Sequence, residues 1–111
     1  TVGLLPDQVP PEGQGVWAPF FGRPAYTMTL AAKLVQQSGA TVLLAWCERL
    51  AAGRGFVVRL RPMPALPGTG DEADATTVNR AMEALVRECP SQYLWGYNRY
   101  KAPRRARAVG A

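Results

Sequence analysis

Two groups of residues in this 111-residue chain have types and spacing suited to chemistry. The first is Pro6-Asp7-Gln8, a carboxylate and an amide placed directly after the apolar run Val2 to Leu5. In open α/β sheets, ligands gather beyond the carboxyl ends of strands, so a strand stopping at Pro-Asp-Gln would sit well for binding. A plain reading stands beside it, because Pro and Asp also suit an ordinary type I turn. The second group is the aromatic and basic block Gln92 to Lys101. There Arg99 and Lys101 are candidate phosphate contacts, Arg as a bidentate fork and Lys as a point charge.

What the chain lacks is as informative. It contains no histidine. A Ser-His-Asp or Cys-His unit, a His-ligated metal and a His general base are therefore excluded from these residues alone. The two cysteines, Cys47 and Cys89, are too few for a disulfide-rich scaffold. Cys47 falls in an apolar strand. Cys89 ends a predicted helix, where the dipole opposes a thiolate. Neither has the setting of a nucleophile, and a reduced compartment is the simpler expectation. Gly13 to Ala18 matches a G-x-G-x-x-A string, but Pro10, Pro11 and Pro19 deny it the strand and helix that a dinucleotide site needs. No P-loop, paired-cysteine metal spacing or G-x-S-x-G elbow is present, and neither cofactor nor metal is expected.

The elements that must position these groups follow from periodicity. Val2 to Leu5 reads as a short buried strand, and Val16 to Phe21 as the apolar centre of a long loop. Trp17, Phe20 and Phe21 in that loop would either close a core edge or face an acyl chain. Tyr26 to Ser38 is predicted helical, with Thr27, Leu30, Ala31, Leu34 and Val35 on one face and Gly39 as the stop. Thr41 to Glu48 is apolar enough for a strand buried on both faces. Phe56 to Arg61 pairs with it across a Gly-containing connection as an antiparallel hairpin. A Pro- and Gly-rich surface loop follows, and the acidic run Asp71 to Asp74 reads as a solvated helix start. Ala75 to Cys89 has the clearest helical stripe, ended by Pro90. Gln92 to about Tyr100 is predicted as a last short helix, with Tyr93, Tyr97 and Tyr100 at helical spacing. The fold class is thus α/β, a partial mixed sheet of a short N-terminal strand, a helix, an antiparallel hairpin and C-terminal helices.

The length suits one domain, and 48% hydrophobic residues suit a globular one. A formal charge of +5 favours acidic partners: phosphates, anionic lipid or nucleic acid. Aromatics mixed with Arg also suit single-stranded nucleic acid, so a freestanding basic module for nucleic acid or anionic surfaces is the alternative function. No run is long and apolar enough to cross a bilayer, and no signal peptide is seen. The chain lacks an initiating Met and opens inside a strand, from which we expect a piece of a longer protein.

In combination, GLLPDQ, then FFGRPAYT, a helix and a hairpin, then NRAMEALVRECPSQYLWGYNRYK ending at Lys101 resemble the C-terminal part of the lipid A biosynthesis acyltransferases. These are late lauroyl or myristoyl transferases of Gram-negative bacteria. The resemblance implies residues 1–101 as the C-terminal part of an acyltransferase domain, and 102–111 as a basic, disordered tail. It implies transfer of a fatty acyl group from acyl carrier protein to a hydroxyl of a lipid A precursor. The setting would be the cytoplasmic face of the inner membrane, reached through the parent protein; the piece itself would be soluble, and nucleic acid is not expected as a partner. The family's catalytic His and acid lie upstream of the PDQ block, so this chain should be inactive alone. Asp7 and Gln8 would line the acceptor side. Arg23 is a weaker phosphate candidate, Arg99 and Lys101 match the terminal basic block, and Phe20 and Phe21 would border the acyl groove. Asn98 stands where the family often has a basic residue or His, which removes a proton-transfer role from that position.

Overall fold

The computed structural model describes residues 1–105. It is a small mixed α/β arrangement of two separate antiparallel two-stranded sheets and two α-helices. The first sheet pairs β1 (Gly15–Phe20) with β2 (Arg23–Met28), and α1 (Leu30–Ser38) follows directly. The second pairs β3 (Leu43–Arg49) with β4 (Phe56–Pro62), ahead of α2 (Asp71–Glu88).

The β1–β2 hairpin is where the sequence reading fails most instructively. Val16 to Phe21 is strand plus turn, not loop, and Tyr26 to Met28 is strand, not helix. Phe21 and Gly22 form the two-residue connection with φ of 50° and 77°. Positive φ at both centres is the type I′ geometry, whose twist matches the flanking strands. Phe-Gly is an unusual occupant of that turn, so its signal was missed. Pro19 and Pro24, residues that cannot donate a ladder bond, lie opposite each other. With Phe20 and Arg23 closing the turn as a hydrogen-bonded pair, the next pair is a non-hydrogen-bonded one. Neither proline therefore removes a ladder bond.

One face of this hairpin carries Ala18, Phe20, Ala25 and Thr27, all buried. α2 lays Val78, Ala81 and Leu85 toward the core with them. The helix begins at Asp71, within the acidic run expected as its start. Its acidic first turn is not merely solvated. Asp74 is fully buried, accepting from Gly68 N–H at 2.9 Å and from Gln36 Nε2 at 3.0 Å. That second bond ties α1 to α2. α1 itself buries only Ala32, and Gly39 ends it in the left-handed region with its N–H on Val35 O.

The predicted β3–β4 hairpin is present, in the register Cys47 opposite Val58. Burial of β3 on both faces is overturned. Leu43, Phe56, Val58 and Leu60 share one face and are 57–68% exposed, with Cys47 exposed among them. Only the other face is used. Trp46 Nε1 donates to Glu88 Oε2 at 2.7 Å, and Arg61 pairs with the same carboxylate. At the strand end, the Gln92 amide both accepts from Arg49 N–H and donates to Arg49 O.

Val2 to Leu5 forms no strand, since no described segment pairs with it, and its residues are exposed. A lone extended segment leaves its backbone groups to water. Gln92 to Tyr100 is not a helix either. A 3₁₀ turn at Pro90–Gln92 leads into successive turns, Trp95 N–H to Tyr93 O, Tyr97 N–H to Leu94 O and Lys101 N–H to Asn98 O. Gly96 weakens helix there, and the Asn98 side chain takes the Tyr100 N–H for itself. Residues 101–105 have no regular structure, while the rest of the expected tail, 106–111, lies outside the described residues.

Candidate functional site

Asp7 sits in a turn closed by Gln8 N–H on Leu5 O at 3.3 Å, so the plain turn reading holds without the preceding strand. The turn is pinned from the far end of the chain. Val9 N–H donates to the Tyr97 hydroxyl at 2.7 Å, and Glu12 N–H to the Arg104 carbonyl at 3.0 Å. Gly13 N–H donates to the Tyr26 hydroxyl at 3.0 Å. Gly15 has no room for a side chain there: a Cβ would stand 2.6 Å from Thr27 O and 2.8 Å from Pro10 Cγ. The loop from Pro10 to Gly15 therefore lies flat against β2 and covers the Tyr26 ring.

The Asp7 carboxylate faces the Tyr93 phenol. Burial raises that phenol above its ordinary pKa, and the charge of Asp7 and a hydrogen bond to it raise it further, while Arg99 pulls the other way. Asp7 and Arg99 thus both act on one tyrosine. Gln8 is exposed and lines an open groove of about 390 Å³ with Val9, Pro10, Gln14, Met28 and Lys33.

Arg99 is placed differently from a ligand contact. It is 3% exposed, with Nη1 donating to Tyr26 O at 2.7 Å and Nη2 to Thr27 Oγ1 at 2.9 Å and Asn79 Oδ1 at 3.3 Å. Asn79 Nδ2 in turn donates to Thr27 Oγ1 at 2.8 Å and Pro19 O at 3.2 Å. The Tyr26 and Pro19 carbonyls belong to non-hydrogen-bonded pairs, so they point away from the partner strand and are free to accept. Thr27, Asn79 and Arg99 form one buried network joining hairpin, helix and terminal block. Burial lowers the Arg99 pKa from its ordinary value, yet nearby phenols and Asp7 support the charge. Its Nε is buried with no partner among the described residues.

The other predicted contacts lie further along the hairpin. Arg23 is exposed and stacks over the Tyr100 ring at 4.2 Å, while the Tyr100 hydroxyl donates to Phe20 O. Phe20 is 2% exposed and is a packing residue, touched by Phe21, Tyr100 and the Arg99 guanidinium. Phe21 is half-buried at the turn, its N–H on Glu83 Oε1 and Arg87 over its ring. Lys101 lies over the Tyr97 ring at 5.0 Å. Of the two cations of the block, Lys101 is engaged with the block's own Tyr97 and Arg99 with Phe20 of the hairpin, while Trp95 stays exposed. Sequence reasoning missed Thr27, Asn79, Asp74 and Tyr26 as structural polar residues. Asn79 alone had a signal, a polar residue beside Val78 within the apolar stripe of α2.

Among the described residues no cluster of His, Cys, Asp or Glu has the makings of a metal site. No described helix is long and apolar enough to cross a membrane. Compared with known families, residues 1–102 match the bacterial lipid A biosynthesis acyltransferases. The chain belongs to that family. No curated protein matches the sequence. For a lipid A biosynthesis acyltransferase, the matched region takes in the Asp7 turn, both hairpins and the whole Arg99 network. It stops at the described tail.

Proposed function

We propose that this chain supplies the acceptor side of an acyl-transfer site, in which a fatty acyl group passes from acyl carrier protein to a hydroxyl of a lipid A precursor. In that reaction the substrate oxygen bonds to the thioester carbonyl, the carrier thiol departs, and a base takes the hydroxyl proton. The chain contains no histidine for that base. The base would come from upstream of the Asp7 turn in the parent protein, at the cytoplasmic face of the inner membrane. By itself this chain would not transfer acyl groups.

Asp7 and Gln8 would hold the acceptor by hydrogen bonds from their carboxylate and amide. Phe21, half-buried at the hairpin turn, is better placed than Phe20 to border an acyl chain. Arg23 and Lys101, both exposed, remain the candidates for the phosphates of the glycolipid, and Arg99 supports the site from beneath. The observation that carries this reading is the pinned, half-buried Asp7 beside an exposed Gln8 at the edge of an open groove. The test is Asp7→Ala in a full-length enzyme carrying this region. Transfer should fall by about a hundredfold while the protein stays folded; undiminished turnover refutes the assignment.

A further inference from the structure

The Asp7 turn has little of its own to hold it. One long bond, Gln8 N–H to Leu5 O at 3.3 Å, closes it, and the residues before it are exposed and unpaired among the described residues. Its order comes instead from two phenols more than eighty positions away. Tyr97 receives the Val9 N–H at 2.7 Å, and the Asp7 charge acts on the Tyr93 phenol, helping to raise its pKa. Both rings are braced, Tyr97 by Lys101 at 5.0 Å and Tyr93 edge-on to Trp95 at 4.8 Å. The two tyrosines lie four positions apart, Tyr97 bonded to the Val9 backbone and Tyr93 within the electrostatic reach of Asp7.

We propose that Tyr93 and Tyr97 are positioning residues for Asp7: the two phenols hold the turn that presents this carboxylate, and neither touches a reacting atom. The proposal rests on the acceptor-site reading of Asp7. A carboxylate on a loosely held turn would spread over many orientations, and an ångström of misplacement lowers rate far more than binding. Tyr97 acts on the backbone and Tyr93 on the side chain, so their losses should be separable.

The test uses the 111-residue chain first and a full-length enzyme second. In the chain, Tyr97→Phe should speed hydrogen exchange at the Val9 amide by about tenfold or more, with the α2 core amides unchanged. Tyrosine-selective NMR should follow the Tyr93 phenol through its titration. Asp7, Arg99 and Tyr100 are the charged and titratable groups that face it. Asp7→Asn should move that titration to lower pH, which a mere packing role for Tyr93 would not predict. In the enzyme, Tyr93→Phe and Tyr97→Phe should each lower kcat by roughly tenfold with KM nearly unchanged. Unaltered Val9 exchange in Tyr97→Phe, or a Tyr93 titration indifferent to Asp7→Asn, overturns the proposal. Should Tyr97→Phe fail to fold, the Asp7→Asn titration still decides, since Asp7 is only half-buried. If the chain results hold but Asp7→Ala keeps full turnover, the acceptor-site reading fails and the grip on the turn stands.

Discussion

The Arg99 guanidinium donates to the Tyr26 carbonyl at 2.7 Å across 73 positions of sequence, inside the fold. A charge in that position is tolerated because its two outer nitrogens are shared among Tyr26 O, Thr27 Oγ1 and Asn79 Oδ1. Buried ions keep their charge only when such partners replace water. Arg99 thus ties the terminal block, which also grips the Asp7 turn, to β2 and α2.

Arg99→Met should destabilise the chain by about 3 kcal/mol, because it strands the buried Tyr26 O and Asn79 Oδ1 and leaves Thr27 Oγ1 only the Asn79 amide as donor. Arg99→Lys should recover only part of this, since a single ammonium cannot span the Tyr26 and Thr27 oxygens as the fork does. Urea unfolding followed by far-UV circular dichroism gives both values. Equal stability of wild type and Arg99→Lys would show that the fork geometry is unimportant.

Gly15→Ala should cost about 1–3 kcal/mol, the usual toll of forcing atoms into a closed contact. The new Cβ would meet Thr27 O at 2.6 Å, a backbone atom that cannot swing aside. Gly3→Ala, where nothing lies within 4 Å, is the matched control and should be neutral or slightly stabilising. Thermal melts of the two variants make the comparison.

Val58→Thr and Leu60→Thr should each change stability by less than about 0.5 kcal/mol, the range for exposed positions. Both side chains are more than 60% exposed on the unused face of β3–β4. A loss of 2 kcal/mol or more by chemical denaturation would mean that this face is covered in solution.

Stability should fall at high pH through Tyr93. Burial first, then Asp7, hold its phenol above the ordinary value, so the folded chain keeps the proton when the unfolded chain gives it up. The contribution is whole below about pH 10, the unfolded value, and is lost as pH rises from there through the folded value. Denaturant midpoints measured from pH 8 to 11.5 should show that decline, and Tyr93→Phe should flatten it.

How much of this was legible beforehand depends on the kind of force involved. Periodicity located α2, the body of α1 and the β3–β4 hairpin, because an apolar stripe or a Gly-bearing connection is a local property of the chain. The Pro6–Gln8 turn was legible for the same reason. The order of short motifs also placed the chain in its family, as the match over residues 1–102 bears out. The β1–β2 hairpin was not legible: its prolines are harmless only in the register that places them opposite each other, and its Phe-Gly turn takes a conformation seldom used by Phe. Nor was the last helix correctly read, since Gly96 and the Asn98 side chain divert a tyrosine spacing that looked helical.

The sequence by itself determined which residue types were available: a carboxylate and amide after a proline, aromatics beside cations, and no imidazole. Only the tertiary structure decided their roles. Arg99 and Lys101 are two residues apart and alike in charge, yet one is sealed beneath β2 and the other lies exposed over Tyr97. Burial, and the partners that make burial of a charge affordable, come from segments distant in the chain, so no local pattern encodes them.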